Sequence, residues 1–296
     1  MPHATVPPMP SPEIARKAYR YTAGLVRDRL QETASFMAHA TVPPMPSPEI
    51  ARRACRCAVW LLVVVAPIQT LAAPAPAATI PMGPDLEAAG WRELEVKGKP
   101  ANRFIGHPDG SIEVFSSSSV SRLYRPIEVD LDATPVLTWR WRVDDPVPPT
   151  DLTQKGEDDT ALTIFVGFPW DPGEASFTER LTRPLVEAYA GEDAPGRVLA
   201  YVFGGDHARG AWVESPHLRS AGAMRVLRPA DSPTGEWFEE RVEIVQDYRE
   251  AFGEDPPDPT QIAISADTDD TRSTSRGFVK DLSFVGRDEA AAAVTD

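Results

Sequence analysis

Three carboxylates fall within four residues at Asp267, Asp269 and Asp270. Carboxylates crowded on a folded chain repel one another unless a cation or an arginine neutralises them. With Asp281 further along, they offer the hard oxygen donors that calcium takes in sets of about six to eight. The spacing is not that of an EF-hand, because loop position six is Arg272 and position twelve is Phe278. The stretch therefore reads as a Ca²⁺ site built from Asp267, Asp269, Asp270 and Asp281, as a turn paired with Arg272 and Arg276, or as a solvated turn.

A second acidic pair, Asp158-Asp159, stands just before an apolar alternating run. Neighbouring residues on a strand face opposite ways, so the two cannot act there as one dyad. The expectation is that one meets Arg140 or Arg142 across a sheet and the other caps the turn. A glycosidase needs two carboxylates about 5–9 Å apart, a separation that spacing alone does not give. A lyase needs a base and a charge neutraliser, which a Tyr/Arg/His set could supply. Tyr201 and the loop aromatic Trp212 complete a candidate ligand-binding set of Arg140, Arg142, Asp158, Asp159, Tyr201 and Trp212. His107, His207 and His217 show no metal-ligand spacing and read as loop residues. Ser215-Pro216-His217 lacks the glycines of a nucleophile elbow, which argues against a serine hydrolase.

These residues need a scaffold, and the hydrophobic pattern supplies one. Over 135–143, Leu137, Trp139, Trp141 and Val143 alternate with Thr138, Arg140 and Arg142. This period of two marks a half-buried strand, with tryptophans in the core and arginines outward. Residues 160–168 alternate in the same way. Further strands are expected at 91–96, 112–115, 123–129, 197–203, 223–227 and 237–245. The last pair, 262–266 and 278–285, is expected to flank the acidic loop like a hairpin. Phe177, Leu181, Leu185 and Tyr189 recur at helical spacing, which predicts a helical insertion over 170–195. A short helix is expected at 247–252, stopped by Gly253. Many short strands with few helices predict an all-β, jelly-roll-like β-sandwich with a helical insertion.

The chain has 296 residues and a formal net charge of −14. Residues 1–77 hold eight Lys or Arg against four Asp or Glu, so the acid excess lies in the remainder. Such a surface repels nucleic-acid phosphates and anionic membranes. Residues 3–16 recur unchanged at 39–52, each copy preceded two places earlier by Met1 or Met37. Structural repeats drift, so a perfect copy reads as recent duplication or an early start codon, and 1–36 as a spurious or duplicated extension. Residues 37–77 place Arg52 and Arg53 before the apolar run 58–66 and then small residues, the order of an export signal. That run is shorter than the roughly 20 residues a membrane span needs. Residues 78–90 read as a linker, 91–287 as the sandwich and 288–296 as a frayed tail. Periplasmic or secreted protein is expected to begin between Ala73 and Ala78, without Cys55 and Cys57. N-terminal sequencing of protein from the native host checks this, and retention of Trp60 would contradict it.

From about residue 120 to 286 the chain resembles a bacterial secreted family labelled domain-of-unknown-function family 3047. The resemblance rests on Leu123-Tyr124-Arg125-Pro126, the run from Trp139 to Val143, Asp158-Asp159, the run from Asp247 to Gly253 and the run from Asp267 to Thr271. It implies export and a sandwich fold, with no established activity. The final strands are also similar, more distantly, to carbohydrate-binding jelly rolls. The expected function is an exported, non-catalytic sandwich that binds a glycan or another cell-envelope ligand. A polysaccharide hydrolase or lyase, and a structural component of an envelope complex, remain as alternatives.

Overall fold

A computed structural model describes residues 77–173, 180, 183 and 194–292. The expected export segment, both cysteines and nearly all of the expected helical insertion lie outside the described residues. What is described is a two-sheet jelly-roll sandwich. One sheet has six strands: β3 (Arg103–Gly106), β4 (Ile112–Ser117), β6 (Val136–Asp145), β11 (Phe238–Glu243), β13 (Thr274–Val285) and the short β1 (Ala78–Thr79). Their order is β11-β6-β13-β4-β3, with β1 also pairing β13. The second sheet has seven strands: β2 (Arg92–Glu95), β5 (Val120–Pro126), β7 (Thr160–Phe168), β8 (Arg197–Phe203), β9 (Trp212–Ser215), β10 (Arg219–Arg228) and β12 (Gln261–Asp267). They run β2-β5-β12-β7-β8-β10-β9, antiparallel except for the parallel pair β8 and β10.

The pattern along β6 becomes the core. Leu137, Trp139, Trp141 and Val143 are buried, while Thr138, Arg140 and Arg142 stay half-buried on the outer face. The two indoles meet edge to face at 5.4 Å between centroids. Tyr201 and Phe203 of β8 close on them at 5.5 Å each from the other sheet. Edge-to-face contacts of this kind suit the ring quadrupoles and add to the area that is buried.

Helix α1 (Ile244–Phe252) follows β11 directly and packs Ile244 and Tyr248 into the core. It ends at Gly253, whose φ of 80° puts it in the left-handed region that stops a helix. Two stretches are more ordered than the sequence suggested. Residues 78–90 are packed, with Ile80 buried and Pro81 O accepting from Trp91 Nε1 at 2.8 Å. Helix α2 (Arg287–Ala292) buries Ala290 against Val136 and Val285.

The expected hairpin at the acidic loop is not one. β12 belongs to the seven-stranded sheet and β13 to the six-stranded sheet, so residues 268–273 cross from one layer to the other. The crossing is held from within. Thr268 is fully buried, and its hydroxyl meets Ser116 Oγ at 2.8 Å and accepts from Ser119 N at 3.2 Å. Asn102 adds bonds from its side-chain nitrogen to Ser121 O and Ala266 O, at 3.0 and 2.7 Å. These polar groups satisfy one another, which is the condition for holding them out of water.

Candidate functional site

The outer face of the seven-stranded sheet carries a groove. On β7, Thr163 and Phe165 point away from the core-facing Leu162, Ile164 and Val166, as the period of two requires. Arg122 of β5 and Ser265 of β12 lie on the same outer face, since Ser265 registers with both Arg122 and Thr163. The Arg122 guanidinium lies 5.0 Å from the centre of the Phe165 ring. Leu152, from the loop before β7, covers Val202, Val213 and Val226 on one side, which leaves the groove as the uncovered part. It encloses only about 70 Å³, so a ligand would lie along it and remain partly in water.

Asp158 and Asp267 both line this groove. Asp158 Oδ2 meets His217 Nε2 at 2.8 Å, from the turn between β9 and β10. That bond to Asp158 raises the His217 pKa. Asp159 turns the other way and is fully buried. Its carboxylate accepts from Thr271 N at 2.8 Å, Thr271 Oγ1 at 2.5 Å and Asp270 N at 3.3 Å. The crossing loop thus wraps its backbone donors around one acid. Asp267 sits beside that acid, and its carboxyl is pushed up to about 8, first by burial and then by the charge of Asp159. Burial also raises Asp270, with Asp159 again adding to it. Oxygens of Asp159, Asp267 and Asp269 lie within 4.8 Å of one another, close enough to share a cation. Lys99 pairs with Asp269 and reaches Asp270 at 3.9 Å.

The metal set expected from sequence is only partly assembled. Asp281 stands seven residues into β13 from Thr274, roughly 23 Å at the rise of a strand. It lies at a bulge with φ 57° and pairs with Arg140 at 3.7 Å. Nor do Arg272 and Arg276 neutralise the loop as a pair. Arg276 meets Glu113 at 3.2 Å, and Lys99 supplies the cation at the loop.

The expected ligand-binding set is split over four places. Asp158 is in the groove, with Asp159 directly behind it. Arg140 and Arg142 are on the outer face of the opposite sheet, so neither meets Asp158 or Asp159. There Arg142 pairs with Asp144 at 2.8 Å, and Arg140, Arg142 and Lys280 surround Trp237. Tyr201 is wholly buried in the core and donates to Asp247 Oδ2 at 3.0 Å. Burial raises the Tyr201 hydroxyl well above its ordinary value, and Asp247 adds to it. Trp212 is half-buried at the far edge strand, where its Nε1 donates to Glu250 of α1 at 3.1 Å. The residues the sequence reading passed over are Arg122, Thr163, Phe165, Ser265, His217 and Lys99. The first four sit opposite the apolar face in their alternating runs, a signal that was present. His217 and Lys99 reach the site from distant loops, and no local pattern announces them.

Among solved structures, the chain is similar to the xyloglucanase domain of NopAA, a type three effector from Sinorhizobium fredii, in complex with cellobiose. That match has 10% identity and a TM-score of 0.36, covering 73% of this chain and all of that one. It is also similar to a Cel12A cellulase derived from that of Rhodothermus marinus, at 12% identity and a TM-score of 0.34, covering 72% and 92%. A third is an adhesin domain of Lys-gingipain from Porphyromonas gingivalis, at 11% identity and a TM-score of 0.30, covering 72% and 100%. No curated protein matches the sequence. Residues 89–283 match the family described as protein of unknown function DUF3047, and the chain belongs to that family.

Proposed function

We propose that this protein is exported and binds a glycan chain along the groove of its seven-stranded sheet. The observation that carries the reading is the composition of that groove. A half-buried Phe165 offers an apolar face for a sugar ring. Thr163 and Ser265 add hydroxyls that donate or accept, and Asp158, Asp267 and His217 add further hydrogen-bonding groups. An open groove suits an extended polymer better than an enclosed small molecule. Export rests on the order of basic, apolar and small residues before residue 78. A cation at Asp159, Asp267 and Asp269, Ca²⁺ from the all-oxygen donors, would brace the end of the groove.

Hydrolysis is the second reading, and one feature favours it. Asp267 keeps its proton near neutral pH, as a general acid must, and Asp158 lines the same groove. A glycan array identifies the ligand, and reducing-sugar release and lyase absorbance assays on that ligand separate binding from turnover. Phe165→Ala is expected to weaken binding at least tenfold while leaving the melting temperature within a few degrees. Arg140→Ala, on the opposite sheet, is expected to leave binding unchanged. The reverse pattern would move the site to the Trp237 face.

A further inference from the structure

Away from the groove, two loops bring a mixed donor set together. Asp151 comes from the loop before β7, and Asp206 and His207 from the loop after β8. One ligand atom from each lies within 4.8 Å of the other two. His207 Nδ1 is buried and has no hydrogen-bond partner. Asp206 Oδ1 is 3.0 Å from it, but the two do not align for a hydrogen bond. The His207 side chain is 23% exposed, so the ring can be reached from water while its Nδ1 is turned inward toward Asp206. Ligands about 2.0–2.2 Å from a zinc ion stand roughly 3–3.5 Å apart, and this pair fits that separation.

The two loops are also fastened to each other. Asp206 N donates to Thr150 O at 2.9 Å. Gly205 has φ 78°, and a Cβ there would come within 2.6 Å of buried Leu152. Asp151 is oriented by Thr153 N at 3.0 Å, Thr153 Oγ1 at 2.6 Å and Gln154 Nε2 at 2.6 Å. The Asp151 carboxylate and the backbone that carries Asp206 are therefore set in place before any ion arrives, which lowers the ordering cost of binding.

We propose that Asp151, Asp206 and His207 form a binding site for a divalent transition metal of the zinc class. Imidazole with two carboxylates suits zinc, nickel or manganese better than calcium, whose ligands are oxygens. Three protein ligands leave a fourth position to water. The site differs in donor chemistry from the all-carboxylate cluster of Asp159, Asp267 and Asp269. An ion there would also clamp the loop that carries Asp158, because the Thr150 hydroxyl donates to Asp159 O at 2.7 Å.

The test is calorimetric titration of Zn²⁺ into the full chain carrying Cys55→Ser and Cys57→Ser, which removes thiolate ligands. The expected result is one Zn²⁺ whose affinity falls at least tenfold in His207→Ala and in Asp206→Asn, and is unchanged in Asp267→Asn. Ca²⁺ should bind at the His207 site at least tenfold more weakly than Zn²⁺. Zinc should also shift the ring nitrogens of His207 in NMR spectra and leave those of His107 in place. Asp206 is exposed, so its variant keeps the test sound if His207→Ala melts early in EDTA. Zinc affinity unchanged in both variants, or no binding at millimolar Zn²⁺, would overturn the site and leave His207 and Asp206 as an ion pair.

Discussion

Trp139→Ala and Trp141→Ala should each cost about 3–5 kcal/mol of stability, the range for large truncations in a closed core. Both side chains are essentially unexposed, at 1% and 0%. They do not depend on the chain in the same way. Trp141 Nε1 donates to Glu240 Oε1 at 3.0 Å, and Glu240 is itself paired with Arg228 at 2.5 Å. Removing Trp141 therefore leaves a cavity and takes one partner from a buried acid. Trp139 Nε1 is buried without a partner, so Trp139→Phe should lose only packed volume and cost less than Trp141→Phe, which loses a bond as well. Urea unfolding of the four variants measures this. Equal losses for the two phenylalanine variants would mean that the Glu240 bond contributes nothing.

Asp267→Asn is expected to stabilise the protein, and by more as the pH rises. In the folded state the Asp267 carboxyl titrates at about 8, whereas its ordinary value is 3.8. The folded chain therefore holds a proton that the unfolded chain has released across that window. Stability must fall as pH rises through it, by about 1.4 kcal/mol per unit, and level off above the folded value. Asparagine carries no such penalty. The melting-temperature difference between variant and parent should be near zero at pH 4 and grow to roughly 10–20 °C at pH 8, since about four units at 1.4 kcal/mol each accumulate and about 1 kcal/mol moves a domain of this size by some 2–4 °C. Calcium acts on the same group with the opposite sign. If it binds at Asp159, Asp267 and Asp269 it takes the place of the proton, so its stabilising effect should be larger at pH 8 than at pH 5. At a hundredfold excess over Kd the gain is about 2.7 kcal/mol, and Asp267→Asn should lose it. Melting curves in EDTA and in millimolar calcium, at fixed ionic strength and at both pH values, measure the two effects together. A variant no more stable than its parent at pH 8 would mean that Asp267 is ionised and solvated in the fold.

The strands that carry the core were legible because burial writes a period of two into the sequence. Residues 160–168 and 197–203 form strands as expected, and the faces of residues 135–143 follow from the tryptophans. The same rule places Tyr201 inward, between Leu199 and Phe203, and applied strictly it would have removed Tyr201 from the ligand-binding set. Layer assignment was not legible. A turn rich in Asp and Thr looks alike whether it closes a hairpin or crosses between sheets, and what decides is Thr268 bonding to Ser116 and Ser119, about 150 residues away in sequence. β3 and β9 escaped notice because each is four residues long and buries little. The groove combines Asp158, His217 and Asp267, whose sequence separations reflect sheet order and leave no local signature.

β1 joins the sandwich by pairing Ala78 with Phe284 and Thr79 with Ser283. The two ends of the described fold are therefore neighbours, although 206 positions separate Ala78 from Phe284. Contacts of such long sequence separation slow folding, because the loop entropy is lost before the contact forms. A ribosome still holding residue 285 holds back the central strand β13, so the six-stranded sheet cannot close on a growing chain. A polypeptide with that property cannot complete its sandwich until its last strand is released. Adjacent ends also make the fold a candidate for circular permutation. A short linker from residue 292 to residue 77, with new ends opened at the exposed turn at Gly235, should leave both sheets and the groove in place.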